Sequence, residues 1–157
     1  MFQETYRQTP NVSKAAIVPS LVVLHHTSGS YNGSVSWCLD PKSQVSYHCI
    51  VARNGDRTVL ARPTQRTWHA GRSVWKGHND TNSFSIGLAW DGDTYKTPLS
   101  KEAIDSAVQY LLPILRQYKI PIQNITRHAV VATPAGRKDD CSPAAHEAFT
   151  KAIARLL

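Results

Sequence analysis

The chain has 157 residues, 41% hydrophobic and 18% charged, with a net charge of +7. That balance fits one soluble globular domain with a real core, and no apolar run is long enough to span a membrane. Three cysteines (Cys38, Cys49, Cys141) and no C-x-x-C pair exclude a disulfide framework and a zinc ribbon. The positive charge favours polyanionic partners, either nucleic acid or an anionic cell wall. The basic residues are scattered and form no nucleic-acid motif, so solubility alone also accounts for the charge.

Residues 1–19 are polar, carry Pro10 and Pro19, and read as an extended N-terminal arm. With no apolar signal-peptide core, this start predicts synthesis in the cytoplasm. The run from Ser20 to His26 is apolar and β-branched and reads as a strand buried on both faces, ending in His25 and His26. Adjacent strand residues point to opposite faces, so one histidine, His25, is expected to bind a metal while His26 supports it from behind. The alternative is a pair of ordinary strand-end histidines. Residues 34–40 predict a short helix with Ser34 as N-cap and Asp40-Pro41 as its end. Residues 44–53 alternate and predict a strand, Asn54-Gly55-Asp56 a hairpin turn, and residues 58–62 the return strand.

Residues 64–80 show no periodicity and read as a long loop rich in aromatic and histidine side chains. Ser85 to Trp90 is a further core strand. Residues 100–118 form the clearest helix, with Ser100 as cap and Pro113 expected to kink or weaken it. Asn124 to His128 is a short strand that again finishes on a histidine. Ser142 and Pro143 start a final helix. Strands alternating with helices predict an α/β fold: a single domain with a central mixed β-sheet flanked by helices.

Two strand ends therefore finish in histidine, His25 and His128. A loop holding Asp140 and Cys141 follows the second. Two histidines and one anionic ligand are the inventory of a catalytic zinc site that leaves a fourth position for water. Five ordered blocks make the pattern specific: Val23-Leu24-His25-His26-Thr27, Val45-Ser46-Tyr47-His48, Trp68-His69-Ala70-Gly71, Ser85-Ile86-Gly87-Leu88, and His128 followed by Pro134 to Asp140. Over residues 20 to 145 this resembles the zinc-dependent N-acetylmuramoyl-L-alanine amidases of the type 2 family. That family includes phage lysozyme amidases, muropeptide-recycling amidases and peptidoglycan recognition proteins.

The resemblance implies hydrolysis of the amide between N-acetylmuramic acid and L-alanine, with Zn²⁺ as cofactor at the strand ends. It makes residues 20–157 the catalytic domain. It also makes His25 and His128 ligands. The third ligand lies two residues after the motif lysine, which points to Asp140; phage members use Lys-x-Cys, and Cys141, one residue out of that register, is the alternative. Lys138 is implied to stabilise the oxyanion. Members with a catalytic glutamate carry it at the position of Ala89, so that version of the mechanism is in doubt here. Phage members lack the glutamate and carry a tyrosine at the position of Tyr47, which is implied to position the water or steady the oxyanion.

Trp68 and His69 fall in the block that lines the substrate cleft. For His69 the choices are substrate contact, support of a ligand, or a plain loop histidine. His26 and His48 read as structural, His78 and His146 as exposed, and Cys38 and Cys49 as buried thiols. The partner implied is bacterial peptidoglycan, with no nucleic acid and no stable membrane association, the protein acting as a monomer. The expected role is a phage or prophage endolysin, made in the cytoplasm and reaching the wall after holin-mediated release. The alternatives are a cytosolic muropeptide-recycling amidase and a non-catalytic peptidoglycan-binding protein.

Overall fold

All six residues of Leu21–His26 are buried in the computed structural model, which describes residues 1–157. In chain order the strands are β1 (Glu4–Tyr6), β2 (Val12–Ala16), β3 (Leu21–His26), β4 (Cys49–Val51), β5 (Arg57–Val59), β6 (Gln65–Thr67), β7 (Val74–Trp75), β8 (His78–Asn79), β9 (Ser85–Trp90) and β10 (Ile125–Arg127). The helices are α1 (Tyr31–Leu39), α2 (Lys101–Tyr118), α3 (His128–Val131) and α4 (Pro143–Ala154). Six strands form a mixed sheet in the order β1-β5-β4-β9-β3-β10, in which only β4 and β5 pair antiparallel.

The period of two along each strand divides the core. Val22, Leu24, Ile86, Leu88 and Trp90 face α2 and α4, where they meet Leu111, Leu115, Phe149 and Ile153. Leu21 and Val23 point the other way and pack with Val131; beside them α1 lays Val35 and Cys38 over Ile50, Leu60 and Ala89. The same alternation sends the His25 ring to the α1 side and the His26 ring to the α2 side. The caps of α2 and α4 are those read from sequence: Ser100 accepts from the amide of Ala103 and Ser142 from that of Ala145. No helix is long and apolar enough to cross a membrane.

Several local expectations are corrected. The N-terminal arm is not merely a lead-in, because β1 extends the main sheet beside β5 and β2 pairs with β6. Helix α1 starts four residues before the expected position, its cap being Ser30 and not Ser34. Paired amides and carbonyls between residues 28–29 and Gly92 end the preceding turn there. Of the strand expected over 44–53, only Cys49–Val51 pairs in the sheet. Gln44 adopts φ 58°, and the buried Asn11 side chain donates to the carbonyls of Cys38, Asp40 and Val45, holding this stretch as a loop.

The return strand is shortened likewise to Arg57–Val59. The expected loop over 64–80 contains β6 and the β7–β8 hairpin. As expected, α2 runs through Pro113 to Tyr118. Pro113 and Gln109, whose carbonyl loses its donor, both lie on the exposed face, where that carbonyl is open to solvent. His146 is half-buried and bonds the Ile125 carbonyl at 2.7 Å; His78 is exposed as expected.

Candidate metal centre

Parallel pairing brings the two histidines together. Leu24 lies opposite Arg127, so His25 and the next residue of the other chain segment, His128, emerge side by side at the carboxyl ends of β3 and β10. Crevices outside the carboxyl ends of strands are where open α/β sheets bind ligands. The third group returns on the loop after α3. Its approach is held by the Ala129 amide on the Asp140 carbonyl at 2.7 Å and by Arg127 Nη1 on the Cys141 carbonyl at 2.9 Å.

There His25 Nδ1 and His128 Nδ1 are 3.2 Å apart. Asp140 Oδ2 is 3.3 Å from His25 Nδ1, and Asp140 Oδ1 is 3.1 Å from His128 Nδ1. Ligand atoms about 2.0–2.1 Å from a tetrahedral zinc stand roughly 3.3–3.4 Å from one another. The three donors thus fit a metal of that size and preference, and they form a group able to hold a metal ion. All three residues are buried. Cys141 is not part of this group. Its side chain sits in the apolar core with Phe149 and Ile153, and burial pushes its thiol up to about 12.

Burial lowers His25 to about 4, with His128 adding to the drop and Asp140 opposing it. Burial pushes Asp140 up, but its contacts with His128 and His25 outweigh that and hold its carboxyl below the usual range. At neutral pH His25 is therefore uncharged beside an ionised carboxylate, the states a metal requires. The His26 amide donates to Asp140 Oδ2 at 3.3 Å. Its ring faces away, with Nδ1 2.8 Å from Thr94 Oγ1. His26 thus supports the centre through its backbone. His48 is structural: its Nδ1 accepts from the Gly87 amide at 3.0 Å and its Nε2 donates to the Gln65 carbonyl at 2.7 Å.

Tyr47, Trp68, His69 and Lys138 line one cleft with His128 and Asp140. The Tyr47 ring stands edge-on to His25, 5.1 Å between centroids. Burial raises its hydroxyl above the ordinary tyrosine range, so it is a neutral donor at neutral pH. Lys138 is exposed on the 133–140 loop. Trp68 is anchored by its indole N–H on Ser13 Oγ at 2.9 Å. His69 lies at the cleft floor, 6% exposed, with one ring nitrogen 2.9 Å from His25 Nε2 and the other 3.1 Å from Ser85 Oγ.

Ala89 is opposite His25 in the sheet and fully buried, so β9 supplies no carboxylate at that station. Sequence reading missed the Ala70 carbonyl, 2.9 Å from His128 Nε2, and the Arg137 guanidinium that bonds the same carbonyl at 2.8 Å. A backbone carbonyl leaves no sequence signal. Arg137 stood beside the singled-out lysine without a partner to mark it.

Comparison with known proteins identifies the family and the fold. A family model described as N-acetylmuramoyl-L-alanine amidase matches residues 15–143. The 1,6-anhydro-N-acetylmuramyl-L-alanine amidase AmpD of Enterobacter cloacae is 28% identical over 144 residues, 80% of this chain and 75% of that protein. A crystal structure of AmpD superposes with TM-score 0.80 at 23% identity, covering 98% of this chain and 95% of that one. The Escherichia coli amidase AmiD, solved with the substrate anhydro-N-acetylmuramic acid-L-Ala-D-γ-Glu-L-Lys, superposes with TM-score 0.76 at 24% identity, covering 90% of this chain and 60% of that one.

Proposed function

The chain belongs to the N-acetylmuramoyl-L-alanine amidase family and is an amidase of that class; from that premise we propose that it uses zinc to cleave the amide between N-acetylmuramic acid and L-alanine in bacterial peptidoglycan. Residues 20–157 are the catalytic domain in this reading. His25, His128 and Asp140 are the ligands. The observation that carries it is the convergence of two imidazole Nδ1 atoms and a carboxylate at 3.1–3.3 Å separations in a buried floor. The non-catalytic alternative requires a lost ligand, and none is missing from the set.

His25, His128 and Asp140 would hold the zinc, which would supply Lewis acidity at the scissile carbonyl and make water more acidic there. The chain's own groups do the rest. The Lys138 ammonium faces the cleft beside Asp140 and stabilises negative charge on the carbonyl oxygen as it develops. The Tyr47 phenol, neutral and edge-on to His25, donates a hydrogen bond to the attacking water or to that oxygen. With alanine at position 89, Tyr47 takes the station beside His25 that a carboxylate would otherwise serve. Trp68 offers an indole on the cleft wall to a sugar or peptide of the substrate, and His69 closes the floor.

We assign the protein to wall lysis, as a monomeric phage or prophage endolysin. The +7 charge supports adhesion to an anionic wall. A second reading, recycling of soluble anhydro-muropeptides, is favoured by the activity named for the Enterobacter cloacae relative. The test is zinc content together with amide release from purified sacculi and from a soluble anhydro-muropeptide. Turnover on sacculi is expected. Activity confined to the soluble fragment selects recycling, and a protein that takes up no zinc overturns the ligand assignment.

A further inference from the structure

His25 ends β3 and His128 follows β10 as the first residue of α3, yet their far ring nitrogens end on consecutive residues of one loop. His128 Nε2 is 2.9 Å from the Ala70 carbonyl. A carbonyl only accepts, so His128 carries its proton on Nε2 and keeps a lone pair on Nδ1. The other contact must be followed outward. His25 Nε2 meets His69 Nδ1 at 2.9 Å, and His69 Nε2 meets Ser85 Oγ at 3.1 Å. The Ser85 hydroxyl in turn donates to the Thr81 carbonyl at 2.6 Å. With that proton committed, Ser85 Oγ accepts from His69 Nε2–H. His69 then presents a bare Nδ1 to His25, which must donate from Nε2. The lone pair of His25 is left on Nδ1, facing His128 and Asp140.

We propose that His69 is a positioning residue: through the relay to Ser85 and Thr81 it fixes His25 as an Nδ1 donor to the metal, while the adjacent Ala70 carbonyl does the same for His128. This deepens the zinc reading above and rests on it. The surroundings are built for that task. A Cβ at Gly87 would come within 2.4 Å of the His69 ring, so the glycine on β9 is what admits the imidazole. Asn82 Oδ1 accepts from the Ala70 amide at 2.9 Å and from the His69 amide at 3.3 Å. Arg137 Nη2 bonds the carbonyls of Ala70 and Arg72 at 2.8 and 2.9 Å. The loop is held from both sides, and both nitrogens of the His69 ring are engaged by protein.

The test compares His69→Asn, whose amide oxygen replaces the Nδ1 acceptor, with His69→Leu, which fills space but cannot accept. Long-range ¹H–¹⁵N spectra of the metal-free protein report the tautomer of each histidine. His25 is expected as the Nε2–H form in wild type and His69→Asn, and to lose that preference in His69→Leu, while His128 is unchanged. Zinc affinity, from competition with a chromophoric chelator, is expected to fall about 10–100-fold in His69→Leu and to be largely restored in His69→Asn. If His69→Leu does not fold, Ser85→Ala keeps the ring and removes only its orienting partner; the same tautomer loss is expected. An Nε2–H form of His25 that persists in both, or an asparagine variant as weak as the leucine, overturns the proposal. A wild type that binds no zinc defeats the ligand assignment instead, and the metal-free spectra still decide the role of His69.

Discussion

Two loops meet at the metal centre and are built in opposite ways. The 133–140 segment carries most of its chemistry in the open: Arg137, Lys138 and Asp139 are exposed, and Asp140 is its one buried residue. The 68–71 segment does the reverse. His69 and Ala70 are buried and touch the far side of each histidine ligand. In the proposed mechanism one loop delivers charge to the substrate, and the other holds the metal-binding histidines still. Accessible groups act on the reacting atoms at little cost to folding. Buried groups must have every polar atom satisfied, so altering them disturbs the framework itself.

The largest expected effect breaks the first loop at its one buried member. Asp140→Ala is expected to weaken zinc binding by more than about 100-fold, beyond the range for losing a partner behind a ligand. Cys141→Ser should leave zinc binding in place and instead cost about 1–3 kcal/mol of stability, because it puts a hydroxyl among Phe149 and Ile153. The reverse order in chelator competition would exchange the ligand assignment. Lys138→Ala sharpens the contrast. It is expected to keep zinc and the melting temperature while kcat drops about 10²–10³-fold, the loss of one oxyanion donor. Loss of zinc along with activity would make that lysine structural.

On the buried side, His48 is neutral when folded. Burial lowers it to about 4, and its Nδ1 accepts the Gly87 amide. Unfolded chains take up a proton near pH 6.5. Between about 6.5 and 4 the unfolded state therefore binds more protons, and stability falls as pH drops through that window. Denaturation of His48→Gln is expected to show a flatter profile there, by on the order of 3 kcal/mol. An unchanged slope would mean His48 does not set it. Smaller again, Gly87→Ala is expected to cost about 1–3 kcal/mol through overpacking against the His69 ring. It should also weaken zinc binding, although residue 87 touches no ligand. A variant as stable and as tightly bound as wild type would separate the two loops completely.

Segments whose structure follows from their own residues were legible. The buried runs ending at His26 and Trp90 and the serine caps of α2 and α4 need only local burial and hydrogen-bond rules, and the amidase pattern rides on such segments. Segments whose partners lie far away in sequence were not. β1 and β2 are mostly exposed and carry no buried alternation, and they are strands because residues 57–59 and 65–67 pair with them. Residues 44–47 alternate like a strand but are held as a loop by Asn11, more than thirty positions away.

The same division runs through the site. By itself the sequence determined the donor inventory, since chemistry-bearing side chains at strand ends and in one loop are legible as residue types in order. It also determined that His25 and His26 face opposite ways, because that is the pleat. Only the tertiary structure decided which ring nitrogen of each histidine points inward, and that Asp140 joins them while Cys141 turns into the core. It alone decided that His69 stands behind His25 with both nitrogens taken. The reason is physical: the direction of a lone pair is set by what lies on the other side of the ring, and here that is a carbonyl and an imidazole from a loop some sixty residues from one ligand and forty from the other.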